Sequence, residues 1–215
     1  MRSDLTEIAF VLDRSGSMNP IADDAIGGFN TFLAAQQSPP GEARLTLVLF
    51  DHEYLVPHRG VGIGAVPPLD ADTYVPRGMT ALLDAVGRTM DDLGARLAAM
   101  PEADRPAKVI VAILTDGQEN ASRDYTFAKV SAMIKHQQEK YSWEFIFLAA
   151  NQDAIAAAGA ISIQPKDAIA FQATPMGVRA AHDKLSAEIT KRRSRKPRSS
   201  GSRPIRSRKW TRGIA

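Results

Sequence analysis

The segment Lys108-Val-Ile-Val-Ala-Ile-Leu-Thr-Asp116 decides the fold. Six apolar residues stand in an unbroken run with Val and Ile in the majority, and the run ends in Thr-Asp-Gly. A strand that is apolar on both faces belongs inside a covered, mostly parallel sheet. Three other segments share its character. TEIAFVLD (6–13) is a short apolar run ending in an acid, ARLTLVLFDH (43–52) is a second, and WEFIFLAA (143–150) is a third. EYLVPHR (53–59) reads as an antiparallel edge strand limited by Pro57. ISI and AIAF within 161–171 are weaker strand pieces.

Helical patterns separate these strands. Asn19-Pro20 predicts a helix start, with Asn19 capping and Pro20 at the first helical position. Ile26, Phe29, Phe32 and Leu33 then mark one apolar face. Thr80 predicts the opening of a helix running to about Met100, with Leu82, Leu83, Val86, Met90, Leu93 and Leu97 as its buried stripe. Further helices are expected near 125–140, from a cap at Asn151 to Gly159, and over 174–192. Strands alternating with amphipathic helices give an α/β fold with a mostly parallel sheet and helices on both faces. The Gly- and Pro-rich stretch 60–79 is a long irregular segment, of the kind that often carries function.

Composition narrows the chemistry. The 215 residues are 44% hydrophobic and 24% charged, as in an ordinary soluble domain. With no cysteine there is no disulfide framework, thiolate catalysis or Cys-ligated zinc, and a cytoplasmic location is expected. No apolar stretch is long enough to span a membrane, and MRSDLTEIAF does not read as a leader. The net charge of +3 conceals a division: eleven of the 27 basic residues lie in 191–215, where there is no acid. The other 16 face 24 acids in residues 1–190, so the body is −8 and the tail +11. Residues 191–215 therefore read as a basic, disordered tail. Arg192, Arg193, Arg195, Lys196, Arg198 and Lys209, with Trp210 as a stacking platform, make that tail a candidate nucleic-acid-binding segment.

Oxygen donors gather where predicted strands end. Asp13, Ser15 and Ser17 follow the first strand, Thr80 follows the irregular segment, and Asp116 ends the strongest strand. Open α/β sheets bind ligands outside the carboxyl ends of their strands, so Asp13 and Asp116 meet there if their strands are neighbours. Two carboxylates and three hydroxyls form a hard, all-oxygen set suited to Mg²⁺, Mn²⁺ or Ca²⁺ rather than Zn²⁺ or Cu²⁺. Neutral hydroxyls leave much of the ion's charge uncompensated, which favours an acidic group from outside. An extended Asp13-x-Ser15-x-Ser17 loop would turn all three side chains one way.

Asp-Arg-Ser-Gly-Ser-Met (13–18), Gly-Met-Thr-Ala-Leu (78–82) and Leu-Thr-Asp-Gly (114–117) together resemble the von Willebrand factor type A domain family and its metal-ion-dependent adhesion site (MIDAS). The resemblance covers about residues 5–170 and places the domain within 1–190. It implies a Rossmann-like doubly wound sheet with one short antiparallel edge strand. It also implies that Ser15 and Ser17 bind the metal directly, that Thr80 does so directly or through water, and that Asp13 and Asp116 act mainly through waters. A partner protein's Asp or Glu commonly completes the shell, and some compact bacterial and phage members serve stress-response systems or ATPases. The expected function is a non-enzymatic, metal-dependent protein-binding module. The alternatives are a metal-dependent phosphoester hydrolase on the same cluster, with Asp51, His52, Glu119 or Asn120 as base, and nucleic-acid binding through the tail. A Gly-x-Ser-x-Gly elbow, a Walker A loop and a paired-histidine zinc spacing are all absent.

Overall fold

A computed structural model describes residues 1–150 and 152–195. Six strands form one sheet: β1 (Arg2–Asp13), β2 (Glu42–Phe50), β3 (Tyr54–Gly62), β4 (Pro106–Thr115), β5 (Glu144–Ala149) and β6 (Ala168–Ala170). Among the described residues five α-helices accompany them: α1 (Ala22–Gln37), α2 (Leu82–Ala99), α3 (Phe127–Tyr141), α4 (Gln152–Ala160) and α5 (Pro175–Ser194). The strand order is β3-β2-β1-β4-β5-β6, parallel throughout except for the β2–β3 pair. This is the doubly wound order in which the winding reverses between β1 and β4, and that reversal opens the ligand crevice.

Alternation along the central strands divides the core into two layers. Ile8, Phe10 and Leu12 of β1 pack with Phe29 and Phe32 of α1 and with Val178, Leu185 and Ile189 of α5. Ala9 and Val11 face the opposite way, onto Val86 and Met90 of α2 and Val130 and Ile134 of α3. Phe10 sets its ring edge to face against Phe29, with centroids 5.4 Å apart. Both faces of β1 and β4 are thus covered, which is why their sequences carry the unbroken apolar runs Ile8–Leu12 and Val109–Leu114.

Several local expectations differ from what forms. Of the weaker strand pieces, only Ala168–Ala170 pairs, with Phe147–Ala149 of β5. Asn19 does not cap α1: residues Gly16–Ile21 form a 3-10 turn with Pro20 inside it, and α1 starts at Ala22. Ser15 is extended, but Ser17 is carried inward by that turn rather than by alternation. The cap expected at Asn151 lies outside the described residues.

The largest difference concerns the tail. α5 runs through Lys191 to Ser194, past the expected boundary at 190. Arg192 and Arg193, expected to face nucleic acid, are buried against the body. Arg192 pairs with Asp167 at 2.6 Å, Glu188 at 3.0 Å and Glu144 at 3.3 Å. Arg193 donates to the carbonyl oxygens of Gln36 at 2.6 Å and Gly41 at 3.1 Å. Lys108 of β4 in turn donates to the carbonyls of Arg192, Arg193 and Arg195 at the end of α5. These two arginines fasten the helix across the sheet because its last turn meets acids and free carbonyls there. Arg195 is exposed, and Lys196, Arg198, Lys209 and Trp210 lie outside the described residues. Arg192→Ala should cost about 2–3 kcal/mol, because it strands partly buried carboxylates. A lowered urea midpoint with an unchanged slope checks this, and truncation after Ile189 should do at least as much damage.

Candidate metal centre

The five oxygen-bearing residues converge at the carboxyl ends of β1 and β4. Asp13 closes β1 and Thr115 closes β4, and these strands are direct neighbours. Thr115 Oγ1 donates to Asp13 Oδ2 at 2.5 Å, and the Ser15 amide donates to Asp13 Oδ1 at 2.6 Å. Ser15 Oγ lies 3.1 Å from Ser17 Oγ, and Ser17 Oγ donates to Asp116 Oδ1 at 2.7 Å. Thr80 joins from the other side. A Cβ placed on Gly117 would stand 2.7 Å from Thr80 Oγ1, 3.4 Å from Ser17 Oγ and 3.5 Å from Asp13 Oδ2. The space beside Gly117 is therefore bordered by oxygens from two separate segments of the chain, 13–17 and Thr80.

Thr80 does not serve the helix that follows it. α2 begins at Leu82 and receives no side-chain cap from its own N-cap position. Its first amides are taken instead by the loop after β4: Leu83 N–H by Glu119 Oε2 at 2.8 Å and Asp84 N–H by Ser122 Oγ at 3.0 Å. Asn120 clamps Thr80 in both directions, its Oδ1 accepting from the Thr80 amide at 2.9 Å and its own amide donating to the Thr80 carbonyl at 3.0 Å. The Thr80 hydroxyl is thus released from capping, and its backbone is fixed.

A strap made of residues 66–81 pins the β1 loop. Tyr74, 1% exposed, donates its hydroxyl to the Asp13 carbonyl at 2.6 Å. The Arg77 amide donates to the Arg14 carbonyl at 2.8 Å, and Gly16 N–H donates to the Gly78 carbonyl at 3.1 Å. Gly78 holds a φ of +67° there, a conformation that favours glycine. Arg14 points away from Asp13. Its Nη2 meets the fully buried Asp51 at 3.1 Å, and Arg77 approaches the same carboxylate at 3.2 Å and pairs with Glu53.

The electrostatics follow from this arrangement. Among the described residues no Lys or Arg pairs with Asp13, although it is fully buried. Burial pushes its pKa up to about 6, against the opposing pull of the Thr115 and Ser15 hydrogen bonds. Burial also raises Asp116, with the Ser17 hydroxyl working the other way. A buried carboxylate such as Asp13, which no Lys or Arg pairs with among the described residues, is costly in its charged form unless a cation arrives. No three His, Cys, Asp or Glu gather into a ligand cage among the described residues, so a cation here would rely on hydroxyl oxygens.

Sequence reasoning placed Asp13, Ser15, Ser17 and Asp116 at strand ends and Thr80 at a helix start, and the structure brings all five together. It missed Thr115, Tyr74 and Gly117. Thr115 and Gly117 flank Asp116 in a turn, where they read as turn chemistry. Tyr74 acts from a segment with no periodicity to interpret.

The fold is that of von Willebrand factor type A domains. The chain is similar to proximal thread matrix protein 1 from the mussel byssus, in a structure with a zinc-occupied MIDAS motif: the TM-score is 0.57 at 16% identity, covering 86% of this chain and 46% of that one. It is similar to the pilus adhesin SpaC from Lactobacillus rhamnosus GG, with a TM-score of 0.61 at 16% identity over 87% of this chain and 31% of the adhesin. It is also similar to von Willebrand factor type A from Catenulispora acidiphila, with a TM-score of 0.53 at 15% identity over 86% and 42% of the two chains. The chain spans less than half the length of each of these structures, and at such identity the likeness is one of fold. No family model and no curated protein matches the sequence.

Proposed function

We propose that this chain is a metal-dependent protein-binding module without catalytic activity. The observation that carries the reading is the convergence of Thr80, Ser17 and Asp13 oxygens on the space beside Gly117, with Asp116 bonded to Ser17. Ser15, Ser17 and Thr80 would hold a divalent cation, Mg²⁺ or Mn²⁺, with Asp13 and Asp116 in support. Such an ion supplies a positive centre for a carboxylate from outside, here an Asp or Glu of a partner protein. The donor set fits: it is all oxygen, it contains two acids, and among the described residues no Lys or Arg pairs with Asp13. The chain's part is to orient. Thr115 and the Ser15 amide fix the Asp13 carboxylate, Asn120 fixes Thr80, and Tyr74 ties the strap to the β1 loop.

The hydrolase reading requires a base near the cluster. Asp51 is engaged by Arg14 and Arg77, Glu119 by the amides of Leu83, Ala121 and Ser122, and Asn120 by Thr80. The commitments of Asp51, Glu119 and Asn120 favour binding over catalysis, and they leave His52, whose Nδ1 lies 3.4 Å from Asp51 Oδ1, as the base candidate for the hydrolase reading. A cytoplasmic location is part of the proposal and rests on the cysteine-free composition. Among the described residues no helix is long and apolar enough to cross a membrane.

Calorimetric titration of Mg²⁺ and of Mn²⁺ into chelator-stripped protein tests the reading. Saturable binding is expected, and joint replacement of Ser15 and Ser17 by Ala should abolish it while circular dichroism stays unchanged. Undiminished heats in that double variant would refute the site. Turnover of p-nitrophenyl phosphate that tracks Mg²⁺ would overturn the assignment as non-enzymatic.

A further inference from the structure

Exposed large apolar side chains gather at one end of the molecule. Among the described residues there are seven, and Met1 alone lies at the amino ends of the strands. Leu55 pairs with Leu49 near the end of β2, and Val75 and Met79 belong to the strap. Phe127, Ile155 and Met176 lie in the opening turns of α3, α4 and α5, which follow β4, β5 and β6. The connections at the opposite end, 38–41, 101–105 and 164–167, which precede β2, β4 and β6, expose none. Single exposed apolar residues are ordinary, but a gathering on the end that holds the metal centre marks an interaction surface.

Two of them border the site directly. Met79 is 53% exposed and precedes the buried Thr80, so one side chain turns outward where the next turns in. Val75, 47% exposed, follows the buried Tyr74, whose hydroxyl holds the Asp13 carbonyl. The backbone that carries both is fixed. The Arg77 amide donates to the Arg14 carbonyl, the Gly78 carbonyl accepts from Gly16, and the Ala81 amide donates to the Asp51 carbonyl. A pinned segment loses little freedom when a ligand settles on it. Arg77, the only cation of the strap, already pairs with Asp51 and Glu53. What the strap offers a newcomer is therefore apolar surface rather than charge.

We propose that the partner segment carries a large apolar side chain two positions from its metal-binding Asp or Glu, and that this side chain packs on Val75 and Met79. The inference rests on the metal-dependent binding reading and specifies its partner. In an extended segment, side chains two positions apart face the same way. An acid over the ion and an apolar neighbour over the strap can then be engaged together. The unbranched side chain of Met79 adapts to the shape it meets, so the contact selects apolar bulk rather than one residue type.

Calorimetry of Mg²⁺ alone comes first. Absence of binding there refutes the metal centre and this partner with it. Two peptides, Gly-Leu-Gly-Glu-Gly-Leu-Gly and Gly-Ser-Gly-Glu-Gly-Ser-Gly, blocked at both ends, are then titrated in Mg²⁺ into the full chain labelled with ¹⁵N-glycine. Gly16, Gly78 and Gly117 report on the site. The Leu peptide should bind about tenfold more tightly, the factor that follows from covering about 60 Å² of apolar surface. The preference should vanish in the double variant Val75→Ser, Met79→Ser, whose Mg²⁺ heats should match the wild type. With Mg²⁺ bound normally, three results overturn the inference and leave the metal site standing: equal affinity for the two peptides, saturation by neither at about 10 mM, or a preference retained in the double variant. Undiminished binding of the Leu peptide in chelator, or after its Glu is replaced by Gln, also overturns it, because the patch would then act without the ion. Shifts that appear when the protein alone is concentrated would assign the patch to a second copy of this chain and overturn it as well.

Discussion

Asp13→Asn is expected to abolish divalent-metal binding and, in chelator at about pH 7.5, to stabilise the metal-free protein by about 3 kcal/mol. The loss of binding follows from removing one of two carboxylates in a cleft otherwise lined by hydroxyls. The gain in stability follows from burial. Asp13 is fully buried, no Lys or Arg pairs with it among the described residues, and its pKa is pushed up to about 6. A carboxyl whose folded pKa lies above its unfolded value favours folding while it is protonated. That contribution is complete below about pH 3.9 and is lost as pH rises through about 6. Above that range the wild type bears a buried charge, and the Asn variant does not. The amide fits the site: its oxygen can accept from the Ser15 amide, and its NH₂ can donate to Thr115 Oγ1, whose hydroxyl can turn toward the Gly117 carbonyl 3.4 Å away. Thermal melts in chelator should therefore diverge between about pH 4 and 7, reaching a difference of about 6–12 °C for a domain of this size. The curves should meet again near pH 4. Adding Mg²⁺ stabilises only the wild type, by about 2.7 kcal/mol at a hundredfold excess over its Kd, and nearly closes the gap. Equal melting temperatures at every pH would refute the electrostatic account, and a Mg²⁺ response retained in the variant would refute the metal account.

A residue that weakens the empty fold and is needed to fill the site is what a binding centre requires. The same tension explains which parts of the site were legible in the sequence. Asp13, Ser15, Ser17 and Asp116 break the apolar pattern at strand ends, so they stand out as soon as the strands are recognised. The strands themselves are legible because burial on two faces leaves no polar alternation in segments such as Val109–Leu114. The supporting contacts are not legible in this way. Tyr74 reaches Asp13 across sixty-one positions, and Asn120 reaches Thr80 across forty. Such separations are set by topology, and no local spacing encodes them. Thr80 shows the opposite failure. Its position before a helix gives it a capping role by local rules, but the loop after β4 supplies those caps through Glu119 and Ser122. The tail shows a third kind. Composition marks Lys191 onward as unable to form a core, and for Arg192 and Arg193 it misleads. Each finds partly buried carboxylates or backbone carbonyls, most of them on segments distant in sequence, and those partners hold α5 to Ser194.

The sharpest test of the site changes no charge and removes no donor. Gly117→Ala should reduce metal affinity more than tenfold while costing the metal-free fold only about 1–2 kcal/mol, the usual price of a modest overpacking. The methyl would stand 2.7 Å from Thr80 Oγ1, closer than carbon and oxygen tolerate, so one of them must move. Thr80 has little freedom to yield, because its backbone is held on both sides by Asn120 and the next residue is tied to the Asp51 carbonyl at 2.9 Å. The same methyl would lie 3.4 Å from Ser17 Oγ and 3.5 Å from Asp13 Oδ2, on the face those oxygens share. Every oxygen proposed to serve the ion remains in the variant, and only the space between them is taken. A site that attracts cations merely through its two acids would keep its affinity, since Asp13 and Asp116 are unchanged. A site that works by convergence of hydroxyl and carboxylate oxygens would lose it. Calorimetry of Gly117→Ala beside Asp13→Asn therefore separates the two: loss in both supports a built coordination site, whereas loss in Asp13→Asn alone reduces the cluster to a patch of negative charge.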